Sequence, residues 1–217
     1  YPLQSYPDGG NGAEGDTVVF NYIGRILHDK GVDDYIEAAR RIKEKYPKTE
    51  FNMLGFIEPT ENHYEALLKE LEEADIVKYR GSQKDVRPFI KRAHATIHPS
   101  TYGEGMSNVL LESAASGRPL ITTDNPGCRE TVRDEETGFI YPGGDVDALY
   151  QAIETFLKME NEQRKNMGEN GRVVLRKSGT EPLLRVMVEA TSHEVCEEKT
   201  DAIIDAMRQA GMLIKVK

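Results

Sequence analysis

Short apolar runs alternate with longer amphipathic stretches through the first three quarters of the chain. Val18 to Ile23, Phe51 to Leu54, Ile76 to Tyr79, Ala95 to His98, Leu120 to Thr123 and Phe139 to Tyr141 are brief and β-rich, so each predicts a strand. Between them, Val32 to Tyr46 places Tyr35, Ile36, Ala39 and Ile42 at helical spacing, and Tyr64 to Ala74 puts Leu67, Leu68 and Leu71 on one face. Further helices are expected at Val86 to Ala93, Ser107 to Ser116 and Gly127 to Arg133. Asp145 is placed to cap a last one running through Met159. Strands alternating with helices of this length predict parallel βαβ units, an α/β Rossmann-like sheet with helices on both faces, over residues 16 to about 170. In such a sheet the ligand lies at the carboxyl ends of the strands.

The periodicity changes after that. Arg172 to Arg176 and Leu183 to Ala190 are β-rich and joined by a polar turn. A helix near Glu194 to Ala210, with Val195, Ile203, Ile204 and Met207 as its apolar positions, and a strand at Leu213 to Val216 follow. This ββαβ unit, residues 171–217, is small for an independent core. Residues 1–15 are rich in proline and glycine and read as a linker.

The 217 residues carry a net charge of -9, which excludes a broad basic surface for nucleic acid or an anionic membrane. No apolar run approaches membrane-spanning length, so no membrane span is expected. Cys128 and Cys196 lack any CxxC spacing, which makes a reducing cytoplasm the default location. The first residue is Tyr1 rather than methionine, and a fragment or processed chain is the expectation.

A phosphate ligand must then be held by a few positioned groups. Gly24 follows the first strand, where glycine permits close approach of a ligand; Arg25 offers a planar donor fork and Lys30 a point charge. On spacing alone these are equally solvated loop cations. The stretch from Pro99 to Asn108 says more: a strand ends near His98, Glu104 is flanked by Gly103 and Gly105, and a helix begins near Ser107. Backbone amides at such a helix N-terminus point at a ligand and suit a diphosphate. Glu112, two helical turns beyond Glu104, sits in the largely apolar Val109 to Ala115, where a charge without a partner needs a reason. His94 and His98 flank a strand-like run, so a metal pair is not expected, and Asp145-Val146-Asp147 reads as a helix cap rather than a metal-binding string. No metal or cofactor is expected.

Taken together, Gly24-Arg25 with Lys30, Glu104 with Glu112, and Gly117-Arg118-Pro119-Leu120-Ile121 resemble the C-terminal domain of retaining GT-B glycosyltransferases of family 4. The resemblance spans residues 16–170, including Thr137-Gly138 and Gly143-Gly144-Asp145. It implies a nucleotide-diphospho-sugar as partner and transfer with retention. By it, Arg25 and Lys30 are the cations that stabilise the diphosphate leaving group, Glu104 is the residue at the donor sugar with the Gly105, Met106 and Ser107 amides beside it, and Glu112 is the ribose ligand. The family's facing acceptor domain has no counterpart in these residues, so the chain is expected to transfer poorly by itself.

Arg176-Lys177-Ser178-Gly179-Thr180-Glu181-Pro182 groups a guanidinium, hydroxyls and a glycine backbone into a nest suited to a phosphate, with Arg185 as a second cation. An ordinary polar hairpin turn uses the same residue types. The ordered string resembles the C-terminal domain of bacterial phosphoglucosamine mutase over residues 171–210. That implies a sugar phosphate held by Arg176, Ser178, Gly179, Thr180 and Arg185, in a tail that lacks the mutase nucleophile. Three readings follow: a glycosyltransferase donor half, a phosphoglucosamine mutase fragment, or a non-catalytic chimera of the two joined through Gly171-Arg172.

Overall fold

The computed structural model describes residues 4–103 and 105–169, the backbone of 172–177 and 184–189, and residues 197, 200, 201, 204 and 205. Eight strands and six helices are described: β1 (Val18–Ile23), α1 (Val32–Lys45), β2 (Thr49–Leu54), α2 (His63–Glu73), β3 (Lys78–Tyr79), α3 (Arg87–Arg92), β4 (Ala95–His98), α4 (Asn108–Ala115), β5 (Leu120–Thr123), β6 (Gly138–Tyr141), α5 (Val146–Lys158), α6 (Asn161–Glu169), β7 (Arg172–Lys177) and β8 (Leu184–Glu189). The first six strands form one sheet in the order β3-β2-β1-β4-β5-β6, all neighbours parallel. The α/β Rossmann-like fold expected from the sequence is therefore the fold observed. The order reverses between β1 and β4, and the crevice outside the carboxyl ends of those two strands is where such sheets bind ligands.

Alternation along the strands sets the two faces. Phe20 and Tyr22 of β1 and Phe51 and Met53 of β2 pack with Tyr35, Ile36 and Ile42 of α1 and Ile153, Phe156 and Leu157 of α5. Phe20 and Phe51 stack with ring centroids 5.1 Å apart, and Tyr35 meets Phe51 edge-on at 5.7 Å. The opposite face is covered more thinly: Ile23 and Leu54 pack on Ile90 of α3, and Leu120 on Leu110 of α4. Glu154 of α5 ties the helical layer together, accepting from Lys158 (2.6 Å), Lys45 (2.7 Å) and Tyr150 (3.0 Å); the two ammonium hydrogen bonds draw its carboxyl down to about 2.

Two expected elements are shorter than their sequence patterns. The strand begins at Lys78 rather than Ile76, because the amides of Ile76 and Val77 turn back to the Leu71 carbonyl at the end of α2. The helix expected from Gly127 to Arg133 is a single 3-10 turn, Arg129–Thr131. The amides of Thr131 and Val132 bond to carbonyls three residues back, the Thr131 hydroxyl occupies the Cys128 carbonyl at 2.6 Å, and Val132 is already extended. Asp145 caps α5 as expected, its carboxylate accepting from the Ala148 amide at 2.9 Å.

Residues 4–15 have no regular secondary structure, yet they are fastened across the amino ends of the strands. Two buried arginines grip their carbonyls: Arg118 donates to Ser5 (2.7 Å) and Arg164 to Gly10 (2.7 Å). Tyr6 donates to the His94 carbonyl at 2.8 Å. The His94 ring accepts from the Val19 amide at Nδ1 (3.0 Å) and donates from Nε2 to the Asp8 carbonyl (3.1 Å), which fixes its tautomer. Burial holds this ring's pKa down at about 4 and that of Arg118 at about 10.

In the tail, β7 and β8 pair antiparallel, with Arg176 opposite Arg185. The residues between them, including Ser178, Gly179 and Thr180, lie outside the described residues, as does most of the expected last helix and all of the last strand; residues 197, 200, 201, 204 and 205 within that helix are helical.

Candidate functional site

Two loops meet at the β1/β4 switch point, and the chain bolts them together. The loop after β1 runs from Gly24 through a 3-10 turn at His28–Lys30 to Gly31, where α1 starts. The loop after β4 runs from Pro99 to Ser107. Gly31 is left-handed (φ 70°), and a Cβ there would stand 1.9 Å from the Pro99 carbonyl oxygen. Only glycine supplies both that conformation and that clearance. Next to this contact the Thr101 amide and the Thr101 hydroxyl both donate to the Asp29 carbonyl, each at 3.0 Å. Ser100 below is fully buried, and its carbonyl accepts from Thr123 Oγ1 and Asn125 Nδ2 at 2.8 Å each. The lip of the crevice is thus anchored to β5 as well.

Gly24 and Arg25 follow β1 at a point where backbones crowd. The Gly24 amide donates to the Leu54 carbonyl at 2.9 Å, and a Cβ on Gly55 would meet the Gly24 carbonyl oxygen at 1.7 Å. Tyr22 donates to the Arg25 carbonyl at 2.5 Å, fixing the start of the loop from below. The Arg25 side chain is half exposed and paired to Glu58 at 2.8 Å; that carboxylate holds its proton more firmly still. Lys30 lies over the Tyr102 ring, 4.6 Å from its centroid. Both cations predicted from the sequence therefore stand at the switch point, and each has a neighbour that a ligand must displace or share.

On the facing side, Gly105 is exposed and Met106 half-buried, while Ser107 is buried and its amide is taken by the Gly127 carbonyl at 3.1 Å. Of the three predicted amides, that of Ser107 is thus engaged within the chain. Glu104 lies outside the described residues. Ser107 occupies the N-cap of α4 without a side-chain cap bond, so the first amides of this helix have no partner from that residue. Glu112 is half-buried on α4, and among the described residues its carboxylate makes no hydrogen bond or ion pair. A half-buried carboxylate left open in this way is suited to accept from vicinal hydroxyls.

Sequence reasoning found Gly24, Arg25, Lys30 and Glu112 but missed Tyr102, Thr101 and Gly31. Tyr102 and Thr101 stand in the very stretch singled out for Glu104, and an exposed aromatic there (38% exposed) was a usable signal. The Thr101–Asp29 and Gly31–Pro99 contacts carry none, because their partners are backbone atoms. The second predicted phosphate site is not assembled by the described atoms: only the backbones of Arg176 and Arg185 are placed.

Comparison with known proteins adds the following. The family described as Glycosyl transferases group 1 matches residues 9–174. The capsular polysaccharide biosynthesis glycosyltransferase CapM of Staphylococcus aureus is 32% identical over 161 residues, covering 72% of this chain and 41% of that protein. The lipopolysaccharide core biosynthesis glycosyltransferase LpsE of Rhizobium meliloti is 31% identical, covering 74% and 45%. The chain thus spans less than half the length of these curated relatives. Among solved structures, the C-terminal domain of the group 1 glycosyl transferase LpcC from Francisella tularensis superposes with a TM-score of 0.64 at 20% identity, over 71% of this chain and 82% of that one. Anabaena HepE, in complex with UDP and glucose, gives 0.64 at 21% identity over 71% and 42%. At these identities the structural likeness concerns the fold.

Proposed function

The chain belongs to the glycosyl transferases group 1 family and has the GT-B-type fold of its C-terminal domains, and from that premise we propose that residues 16–170 are the donor half of a retaining, family 4 glycosyltransferase. The ligand is a nucleotide-diphospho-sugar. The observation that carries this reading is the convergence of the Arg25–Lys30 loop with the Pro99–Ser107 loop at the β1/β4 switch point. UDP in the HepE crystals supports a uridine diphosphate as the first candidate.

In this reading Arg25 and Lys30 stabilise the charge that develops on the departing diphosphate, which fixed cations do without a metal. Gly24 lets the ligand approach the β1 turn, and Gly105, Met106 and Ser107 line the donor side beside Glu104. Glu112 accepts from the ribose hydroxyls. Transfer itself requires an acceptor held against the donor, and positioning of that kind supplies much of the rate. These residues alone are proposed to bind donor and to transfer poorly.

The tail is proposed to be a mutase-like remnant in which Arg176, Ser178, Gly179, Thr180 and Arg185 surround the phosphate of a sugar phosphate. The antiparallel β7–β8 pairing supports a hairpin there, and the family match ends at residue 174, near the proposed boundary between residues 170 and 171. Among the described residues no helix is long and apolar enough to cross a membrane, and we propose a cytoplasmic location.

Calorimetric titration with UDP, GDP and inorganic pyrophosphate tests the donor site. At least one nucleotide should bind, Arg25→Ala should weaken all three ligands, and Glu112→Gln should weaken the nucleotides while sparing pyrophosphate. Absence of heat with both nucleotides, in protein shown to be folded, would overturn the reading.

A further inference from the structure

The carboxylate that meets Arg25 stands on a loop as firmly built as the arginine's own. Beyond β1 and β2 the two segments stay zipped: the Ile26 amide donates to the Phe56 carbonyl at 2.9 Å and the Glu58 amide to the Ile26 carbonyl at 3.1 Å, a parallel bridge between Ile26 and Ile57. Ile26 is fully buried, and Ile57 packs against the same core. Arg25 precedes one member of that bridge and Glu58 follows the other, so the alternation of extended chain brings both out on the opposite side. There Arg25 Nη1 donates to Glu58 Oε1 at 2.8 Å.

Among the described residues the Glu58 carboxylate makes no other hydrogen bond or ion pair. It opens the 3-10 turn Pro59–Glu61 without a side-chain cap bond, and the turn closes through the backbone, Glu61 amide to Glu58 carbonyl, at 2.8 Å. Nor does the pair hold the fold together, since an ion pair whose arginine is 48% exposed adds little stability. What it fixes is one long side chain. The contact is single-point, through Nη1, and leaves most of the planar fork for a phosphate. From the facing loop, the Tyr102 hydroxyl also acts on this guanidinium.

We propose that Glu58 is a positioning residue for donor binding: it keeps the Arg25 guanidinium at the crevice in the free protein, so that the diphosphate meets a cation already ordered. The inference rests on the reading of Arg25 as a diphosphate ligand. The arginine is then shared, Glu58 staying on Nη1 while the phosphate takes other N–H groups. A ligand that must immobilise such a side chain for itself loses roughly two- to tenfold in affinity. The negative charge of Glu58 works the other way by repelling the diphosphate, so its hold and its charge oppose each other.

Two substitutions separate them. Glu58→Gln and Glu58→Ala both remove the charge, and only glutamine keeps an acceptor for Nη1. In calorimetric titration with pyrophosphate and UDP, Glu58→Ala should bind roughly two- to tenfold more weakly than Glu58→Gln. In the Arg25→Ala background the two should bind alike, which a general loosening of the loop would not produce. NMR relaxation of the arginine side chains in the ligand-free protein supplies a second readout: the Arg25 Nε–H should be more mobile in Glu58→Ala than in Glu58→Gln or the unsubstituted protein. Equal affinities for the two variants, a difference that persists without Arg25, or an Arg25 Nε–H as ordered in Glu58→Ala as in the unsubstituted protein would each overturn the proposal. Failure of the unsubstituted protein to bind either nucleotide or pyrophosphate sinks the donor reading instead, and the relaxation comparison, which uses no ligand, still decides whether Glu58 holds Arg25.

Discussion

Replacing Gly31 by alanine separates the contact between the two loops from ordinary backbone strain. An L-residue held in the left-handed region costs about 1–2 kcal/mol. At Gly31 the new Cβ also stands 1.9 Å from the Pro99 oxygen and 2.7 Å from its carbonyl carbon, both backbone atoms that no rotamer change can move. The loops must part by roughly 1 Å or more to restore van der Waals contact. The two bonds from Thr101 to the Asp29 carbonyl then stretch or break, at about 1 kcal/mol each. The sum is about 3–4 kcal/mol. Gly144 is the control: its φ is 80°, and a Cβ there meets nothing within 4 Å, so Gly144→Ala should cost only the conformational part. Urea unfolding at equal m-value should therefore place Gly31→Ala about 2 kcal/mol below Gly144→Ala. Equal midpoints for the two variants would refute the claim that the loops are bolted at this glycine.

Two further outcomes follow from neighbouring groups. Tyr102→Ala removes the ring over which Lys30 rests, and an exposed cation–π contact is worth about 0.5–1 kcal/mol. If Lys30 turns from that ring to a diphosphate, calorimetry should show nucleotide affinity rising about two- to fivefold; unchanged or weaker binding would show that it does not. His94 has its pKa depressed to about 4 from 6.5, so it favours folding fully above 6.5 and that contribution fades as pH falls towards 4. The loss is about 3 kcal/mol in all, at about 1.4 per unit. His94→Gln should flatten the fall in urea midpoint across that window, and parallel curves for the two proteins would contradict it.

The sheet was legible in the chain because buried parallel strands are short apolar runs, and Val18 to Ile23 or Leu120 to Thr123 admit no other reading in their context. Their spatial order was not, since parallel strands of equal hydrophobicity carry no mark of their neighbours. The switch point that gives Arg25 and Lys30 a common address emerges only from that order. The Ile76 to Tyr79 run misled at its start because hydrophobicity is silent on where amides go, and those of Ile76 and Val77 go back to α2. Residues 4–15 looked like linker for the same reason. Their fastening is done by carbonyls, and the arginines that hold them are more than a hundred positions away in the sequence. In the sequence Arg118 stands out only as part of a string with Gly117 and Pro119.

The doubled bond from Thr101 to the Asp29 carbonyl has a thermodynamic consequence for any ligand at the crevice. The backbones of residues 24–31 and 99–102 are already immobilised in the free protein, so their ordering entropy is settled during folding and not again on association. Donor binding should accordingly draw on little conformational rearrangement in this lip, and its heat-capacity change should reflect the ligand's own desolvation rather than the closing of a loop.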